Sequence, residues 1–160
     1  MILYLMHGVA GSGKSTLIRN CNLEKYSINP DKLRLKFAGT KIDDFGREVI
    51  SNEQDKKVWY VVYRELEKRM NRGDPIVILD ATNLGSLGKY RFYATKYGYQ
   101  IVIVDFNVPL EELLRRNTQE NRGIALIPEE VTVRMFQRKE KQDLSGYTVI
   151  TSDEFSSLFM

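Results

Sequence analysis

His7-Gly8-Val9-Ala10-Gly11-Ser12-Gly13-Lys14-Ser15-Thr16 decides how the rest of this sequence reads. The apolar run Met1–Met6 leads straight into it. That run is too short, and lacks the basic flank, to be a signal peptide, so it reads as a strand over residues 2–7. Gly8, Gly13, Lys14 and Ser15 fill the frame G-x-x-x-x-G-K-[S/T]. Glycines at those spacings let consecutive backbone N–H groups turn inward as an anion nest where the next helix begins. Such a nest suits the phosphates of ATP, with Lys14 as a point charge on the β- and γ-phosphates and the Ser15 hydroxyl as a Mg²⁺ ligand. Ala10, Gly11, Ser12 and Thr16 complete the cradle. The alternative is a glycine-rich strand–helix turn that binds nothing.

Outward from this loop, short apolar runs alternate with amphipathic stretches, which points to an α/β fold with a parallel sheet. The expected elements are a helix from Lys14, a short extended piece at Tyr26–Ile28, and a helix from Pro30 to about Ala38. Asn29 serves the second helix as N-cap, Pro30 as first helical residue and Asp31 as first-turn acid. Residues 40–51 read as loop. A long helix follows from Asn52 to Arg72, with Trp59, Val62, Tyr63, Leu66 and Met70 on one face. Ile76–Leu79 has the continuous apolar character of a central parallel strand. A helix over Leu87–Tyr97, a strand over Gln100–Phe106, and helices from Pro109 to Arg116 and from Pro128 to about Gln142 come next. Tyr147–Ile150 is a candidate last strand, and 151–160 is a tail without assignment. The expected fold is a P-loop kinase fold: a central parallel sheet of four to five strands, helices on both faces, and an arginine-bearing lid over about 117–142. No linker or repeat divides residues 1–160, so one domain is expected.

Composition sets limits. The chain has 160 residues, 42% hydrophobic and 28% charged, ordinary values for a globular protein. No run of 18 apolar residues suggests a membrane span. Cys21 is the only cysteine, which excludes an internal disulfide and fits a reducing cytoplasm. On the helix after the loop it reads as a small buried hydrophobe. His7, the only histidine, reads as a packed residue at a strand end. The net charge of +3 is uneven: residues 14–41 hold seven Lys/Arg against two acids, +5, and the remainder carries −2. An anionic nucleotide accounts for part of that excess, and an anionic second substrate or a solvated helical face for the rest.

Three groups are candidates for the second substrate. Asp31 and Arg34 share a helix face three residues apart. The first is a carboxylate able to accept a hydroxyl proton, the second a clamp for a phosphate; the alternative is dipole complementation and a solvated arginine. Asp80, Thr82 and Asn83 end a buried strand at the edge where open α/β sheets bind ligands, or they cap a helix. Arg115, Arg116 and Arg122 flank a polar loop able to close over the nucleotide, or they compensate a helix dipole.

Together these blocks resemble the 5′-kinase domain of bacteriophage polynucleotide kinase and its relatives. The matching stretches are Gly8–Thr16, Tyr26-Ser27-Ile28-Asn29-Pro30-Asp31-Lys32-Leu33-Arg34, Asp80-Ala81-Thr82-Asn83-Leu84, and Val108 through Arg116-Asn117 and Arg122-Gly123 to Ile127-Pro128. The resemblance implies ATP-dependent, Mg²⁺-assisted phosphorylation of the 5′-hydroxyl end of DNA or RNA. Carried over residue by residue, Lys14 and Ser15 match the phosphate and Mg²⁺ positions, Asp31 the general base, and Arg34 the arginine on an acceptor phosphate. Thr82 matches an acceptor-phosphate contact, Arg116 and Arg122 the lid arginines on the donor phosphates, and Ile127 an apolar residue near the terminal base. The family's aspartate before the Thr-Asn pair is Ala81 here, and the interval from Arg116 to Arg122 is longer by two residues. The phage enzyme's phosphatase domain and its Asp-x-Asp motif have no counterpart, so kinase activity without 3′-phosphatase activity is expected. A small-molecule kinase, a toxin-type kinase of nucleotide sugars and a non-catalytic ATP-binding module share parts of this pattern and stay open.

Overall fold

In the computed structural model, which describes residues 1–118 and 120–160, the elements alternate as an α/β chain should. The first half runs β1 (Ile2–His7), α1 (Lys14–Asn20), β2 (Ser27–Ile28), α2 (Pro30–Phe37), β3 (Thr40–Ile42), β4 (Glu48–Ile50) and α3 (Asp55–Arg72). The second runs β5 (Ile76–Leu79), α4 (Gly88–Tyr97), β6 (Gln100–Asp105), α5 (Leu110–Asn117), α6 (Glu129–Lys141), β7 (Thr148–Thr151) and α7 (Ser152–Phe159). Among the described residues, five parallel strands form the main sheet in the order β2-β5-β1-β6-β7.

Successive side chains of a strand point to opposite faces, and central β1 feeds two cores. Leu3 and Leu5 pack with Val58, Val62, Leu66 and Met70 of α3, whereas Tyr4 and Met6 pack with Ile18 of α1 and Phe155 of α7. Helices thus cover both faces, as the sequence predicts. On α3 the expected Val62, Leu66 and Met70 are buried, joined by Val58, while Trp59 and Tyr63 are half-buried on the flank.

Two regions depart from expectation. Residues 40–51 are not loop: β3 and β4 pair antiparallel across a turn at Asp43–Arg47. Asp43 Oδ1 accepts the N–H groups of Phe45 and Arg47, each at 2.9 Å, and Gly46 takes φ 77°. That side-chain-closed turn supplies the order that two three-residue strands lack. The tail without assignment, residues 151–160, contains α7 behind a capping box, in which Thr151 Oγ1 accepts from Glu154 N at 3.1 Å and Glu154 Oε2 from Thr151 N at 2.7 Å. Phe155 is fully buried, edge-on to Tyr4 at 5.0 Å. Within the expected lid, a kinked 3-10 helix spans Glu120–Ala125, and position 119 lies outside the described residues.

Candidate functional site

Because β1 pairs with β5 in parallel register, Leu5 opposite Leu79, the segments after both strands emerge side by side. Gly8 N donates to Thr82 O at 3.1 Å and joins the glycine loop to the segment Asp80–Asn83. Gly13 caps α1 in the left-handed region at φ 98°, and no side chain caps that helix. Lys14 folds back over the loop, and Nζ donates to Gly8 O at 3.0 Å, Val9 O at 2.9 Å and Ser12 Oγ at 3.4 Å. Burial pulls its ammonium down to about 8; the charges of Asp80 and Asp31 work against that, and Arg122 adds to it. A buried cation held only by dipoles, beneath uncapped N–H groups, is a site for an anion.

Ser15 Oγ donates to Asp80 Oδ2 at 2.6 Å, and Asn29 Nδ2 reaches the same oxygen at 3.0 Å. Burial pushes the Asp80 carboxyl up, opposed by the Ser15 hydroxyl and the Lys14 charge. Hydroxyl and carboxylate are hard oxygen donors, and among the described residues no cluster of three His, Cys, Asp or Glu builds a complete metal cage. Such a partial oxygen set fits Mg²⁺, which keeps much of its own water.

Across the same cavity, Asn29 Oδ1 caps α2 by accepting from Asp31 N at 2.8 Å and Lys32 N at 3.3 Å. Arg34 Nη1 donates to Asp31 Oδ1 at 2.8 Å. Its Nε and Nη2 form a fork on Asp55, at 2.8 Å to Oδ1 and 3.0 Å to Oδ2. Burial works against the Arg34 charge, but the bonds to Asp55 and Asp31 hold the guanidinium above its ordinary value. Asp55 had no signal in the sequence beyond a first-turn acid on α3, since its partner lies on a different helix.

The end of α5 packs over the loop crest. Arg116 Nη1 donates to Gly11 O at 3.1 Å and its Nε to Glu112 Oε1 at 2.9 Å. Buried Asn117 donates to Ala10 O at 2.7 Å and Thr132 Oγ1 at 3.1 Å, so near Gly11 that a Cβ there would overlap its Oδ1. Arg122 donates to Ala125 O at 3.0 Å; burial and then the Arg116 charge push its guanidinium down. Lys14, Arg116 and Arg122 therefore bring three cations to one cavity, of which Arg116 is paired with Glu112. Arg115 is not brought there: it pairs with Glu112 on its own helix.

This cavity, about 1340 Å³, unites Ala10–Thr16, Asp31, Arg34, Asp80, Thr82, Arg116, Arg122 and Ile127. Gly8 stands behind it as the loop's first residue, where a Cβ would meet Ser12 Oγ at 2.7 Å. Asn83, expected with the second-substrate residues, is not brought into the cavity. It is buried at φ 54°, and its amide donates to Met6 O at 2.6 Å, so it staples β1 to the segment after β5. His7 is packed as expected, its Nδ1 donating to Asp105 Oδ1 at 2.9 Å and its Nε2 lying 2.6 Å from Gln142 Oε1. Lys139 Nζ joins Asp105 at 3.0 Å, which anchors α6 to the sheet. Cys21 is buried.

A family model described as "AAA domain" matches residues 3–142. Among solved structures, a chain of the Pnkp1/Rnl/Hen1 RNA repair complex superposes with a TM-score of 0.64 at 25% identity, over 88% of this chain and 46% of that one. This chain thus spans under half the length of that protein. Kti12 from Chaetomium thermophilum in complex with ADP-AlF3 matches with a TM-score of 0.63 at 16% identity, over 99% of both chains. Shikimate kinase from Acinetobacter baumannii in complex with shikimate matches with a TM-score of 0.58 at 17% identity, over 99% of this chain and 90% of that one. At those identities the last two share the fold. Among the described residues no helix is long and apolar enough to cross a membrane.

Proposed function

Because this chain belongs to the AAA domain family, we propose that it is an ATP-dependent polynucleotide 5′-hydroxyl kinase, transferring the γ-phosphate of ATP to the 5′-hydroxyl end of DNA or RNA. One observation carries the reading: the Asp31 carboxylate, held by Arg34, shares a cavity with Lys14 and the Arg116–Arg122 pair. A proton acceptor thereby faces an anion cradle, the pairing that phosphoryl transfer to an alcohol requires. The likeness to a chain of an RNA repair complex supports a nucleic-acid end as the acceptor. Residues 1–160 are taken as one kinase unit with a lid over 117–142, acting in the cytoplasm.

The acceptor hydroxyl oxygen attacks the γ-phosphorus in line. Its new bond forms as the bond to the β–γ bridging oxygen breaks, its proton passes to Asp31, and ADP leaves. The protein supplies mainly position and charge in so loose a transition state. Lys14 binds the donor phosphates, and Arg116 and Arg122 close over them. Arg34, fixed by Asp55, binds the acceptor's first phosphate with Thr82, and Ile127 meets the terminal base. Ser15 and Asp80 would hold Mg²⁺, which when bound neutralises β- and γ-phosphate oxygens.

The test is transfer from γ-labelled ATP to a panel of 5′-hydroxyl DNA, 5′-hydroxyl RNA, nucleosides and sugars. Label on an oligonucleotide is the expected result. Label on a sugar or nucleoside alone assigns a small-molecule kinase, and ATP binding without transfer a regulatory module.

A further inference from the structure

The acceptor side of the cavity continues onto the protein surface along α3. Asp55, Trp59 and Tyr63 stand one helical turn apart and trace a line of about 12 Å. Asp55 grips Arg34, and Trp59 lines the cavity. From Trp59 the aromatic rings run on: 5.8 Å between centroids to Tyr63, 6.4 Å from there to Tyr93, and 5.7 Å to Phe92, which is 63% exposed. Trp59, Tyr63 and Tyr93 rest only partly buried on the flank of the core that Val58, Val62, Leu66 and Met70 fill, and Phe92 stands outside it. Exposed Lys89 holds its Nζ 3.8 Å from the centre of the Tyr63 ring. One face of the half-buried Tyr63 ring is therefore covered by the ammonium of an exposed side chain.

We propose that Trp59, Tyr63, Tyr93 and Phe92, with Lys89, form a track for the single-stranded acceptor beyond its terminal nucleotide. The proposal rests on the kinase reading above and adds to it a substrate preference: strands of several nucleotides over a nucleoside or dinucleotide. A base stacked on Tyr63 makes a stronger contact than an exposed lysine does, so it displaces the ammonium, which is then in reach of the adjoining phosphate. Sequence tolerance follows, since every base offers a π-face. The track leaves α3 at Tyr63 because the next turn carries Glu67. That carboxylate accepts from Lys96 at 3.0 Å and the Tyr97 hydroxyl at 2.7 Å, so this turn offers neither a ring to stack on nor an unpaired cation.

The test compares KM for a 5′-hydroxyl uridine dinucleotide and a ten-nucleotide oligouridylate, using the full chain and its Lys89→Glu and Phe92→Ala variants, both at exposed positions. Expected is a KM about tenfold lower for the longer strand, and a difference that shrinks to about twofold in Lys89→Glu. The salt slope of oligouridylate binding should also flatten by about 0.7 in Lys89→Glu. Equal KM values for the two lengths, or a tenfold difference that both variants retain, overturns the track. If no oligonucleotide accepts phosphate, the kinase reading fails first, and the fluorescence of Trp59, the only tryptophan, decides the track alone. Salt-sensitive quenching by oligouridylate that weakens in Lys89→Glu supports it as a binding surface, and absence of quenching overturns it.

Discussion

The two halves of the cavity are built in opposite ways. The side proposed for the donor is built mainly on one stretch of chain, Gly8 to Thr16, to which Asp80, Arg116 and Arg122 are added, and its centre is enclosed: Lys14 is 8% exposed, and Asn117 leaves no room for a Cβ on Gly11. The acceptor half is assembled across α2, α3 and the segment after β5, and it stays open, with the Asp31 side chain 60% exposed. Binding phosphate takes a fixed array of local dipoles, which consecutive residues supply. Admitting a particular alcohol takes side chains brought together from distant positions. On the proposed reading, the difference teaches that donor chemistry is carried mainly by a motif and acceptor choice by tertiary pairing.

Substitutions on each side should separate the two halves. The largest effect is expected for Asp31→Ala, a fall in kcat on the order of 10²–10⁴ with ATP binding nearly intact, read from single turnovers and from ATP titration. Lys14→Ala should lose about 10²–10³ in kcat and weaken ATP binding as well. If Asp31→Ala weakens ATP binding as much as Lys14→Ala does, the halves are not separable in this way.

A smaller effect sharpens the acceptor side. Asp55→Asn keeps its size but loses the charged fork on Arg34, so KM for the acceptor should rise about tenfold while KM for ATP holds. Asp55→Glu should restore part of that loss. A matching rise in KM for ATP would make Asp55 a general structural residue.

The smallest effect concerns the anchor behind the donor loop. Hydrogen bonding from His7, and then Lys139, holds the Asp105 carboxyl below its ordinary value. A carboxyl depressed in the folded state contributes stability above its unfolded pKa, near 3.9, and loses it as pH falls through the folded value. Asp105→Asn should therefore cost about 1–2 kcal/mol at pH 7, with wild type and variant converging below about pH 4 in denaturant titrations.

The sequence shows the donor half almost completely, because strand, loop and helix start lie within sixteen consecutive residues. The order of the sheet-forming runs and the Asn29-Pro30-Asp31 cap are equally plain, since caps and apolar runs are local signals. The β3–β4 hairpin escapes because three-residue strands are too short for alternation to register, and its turn is closed by the Asp43 side chain. Helix α7 did leave a signal, Thr151 followed three residues later by Glu154, which an unassigned tail conceals. Asp55 and Asn83 could not be placed from the sequence. The first acts through a residue 21 positions away on another helix, and the second donates to a carbonyl 77 positions away, so each role exists only in the assembled tertiary structure.

Asn29 belongs to both halves at once. Its oxygen caps the helix that carries Asp31, and its nitrogen holds the Asp80 oxygen that also takes the Ser15 hydroxyl. On the proposed reading, the reach of a single amide group thus gauges the gap between proton acceptor and phosphate cradle. Reacting atoms must meet at about 3–3.5 Å, and an error of about 1 Å is costly. Aspartate at this position would keep the cap but set a second carboxylate against Asp80. Glutamine would keep the amide but lengthen the gauge by one carbon. Spacing and charge balance are therefore vested in one side chain, and neither near-isostere preserves both.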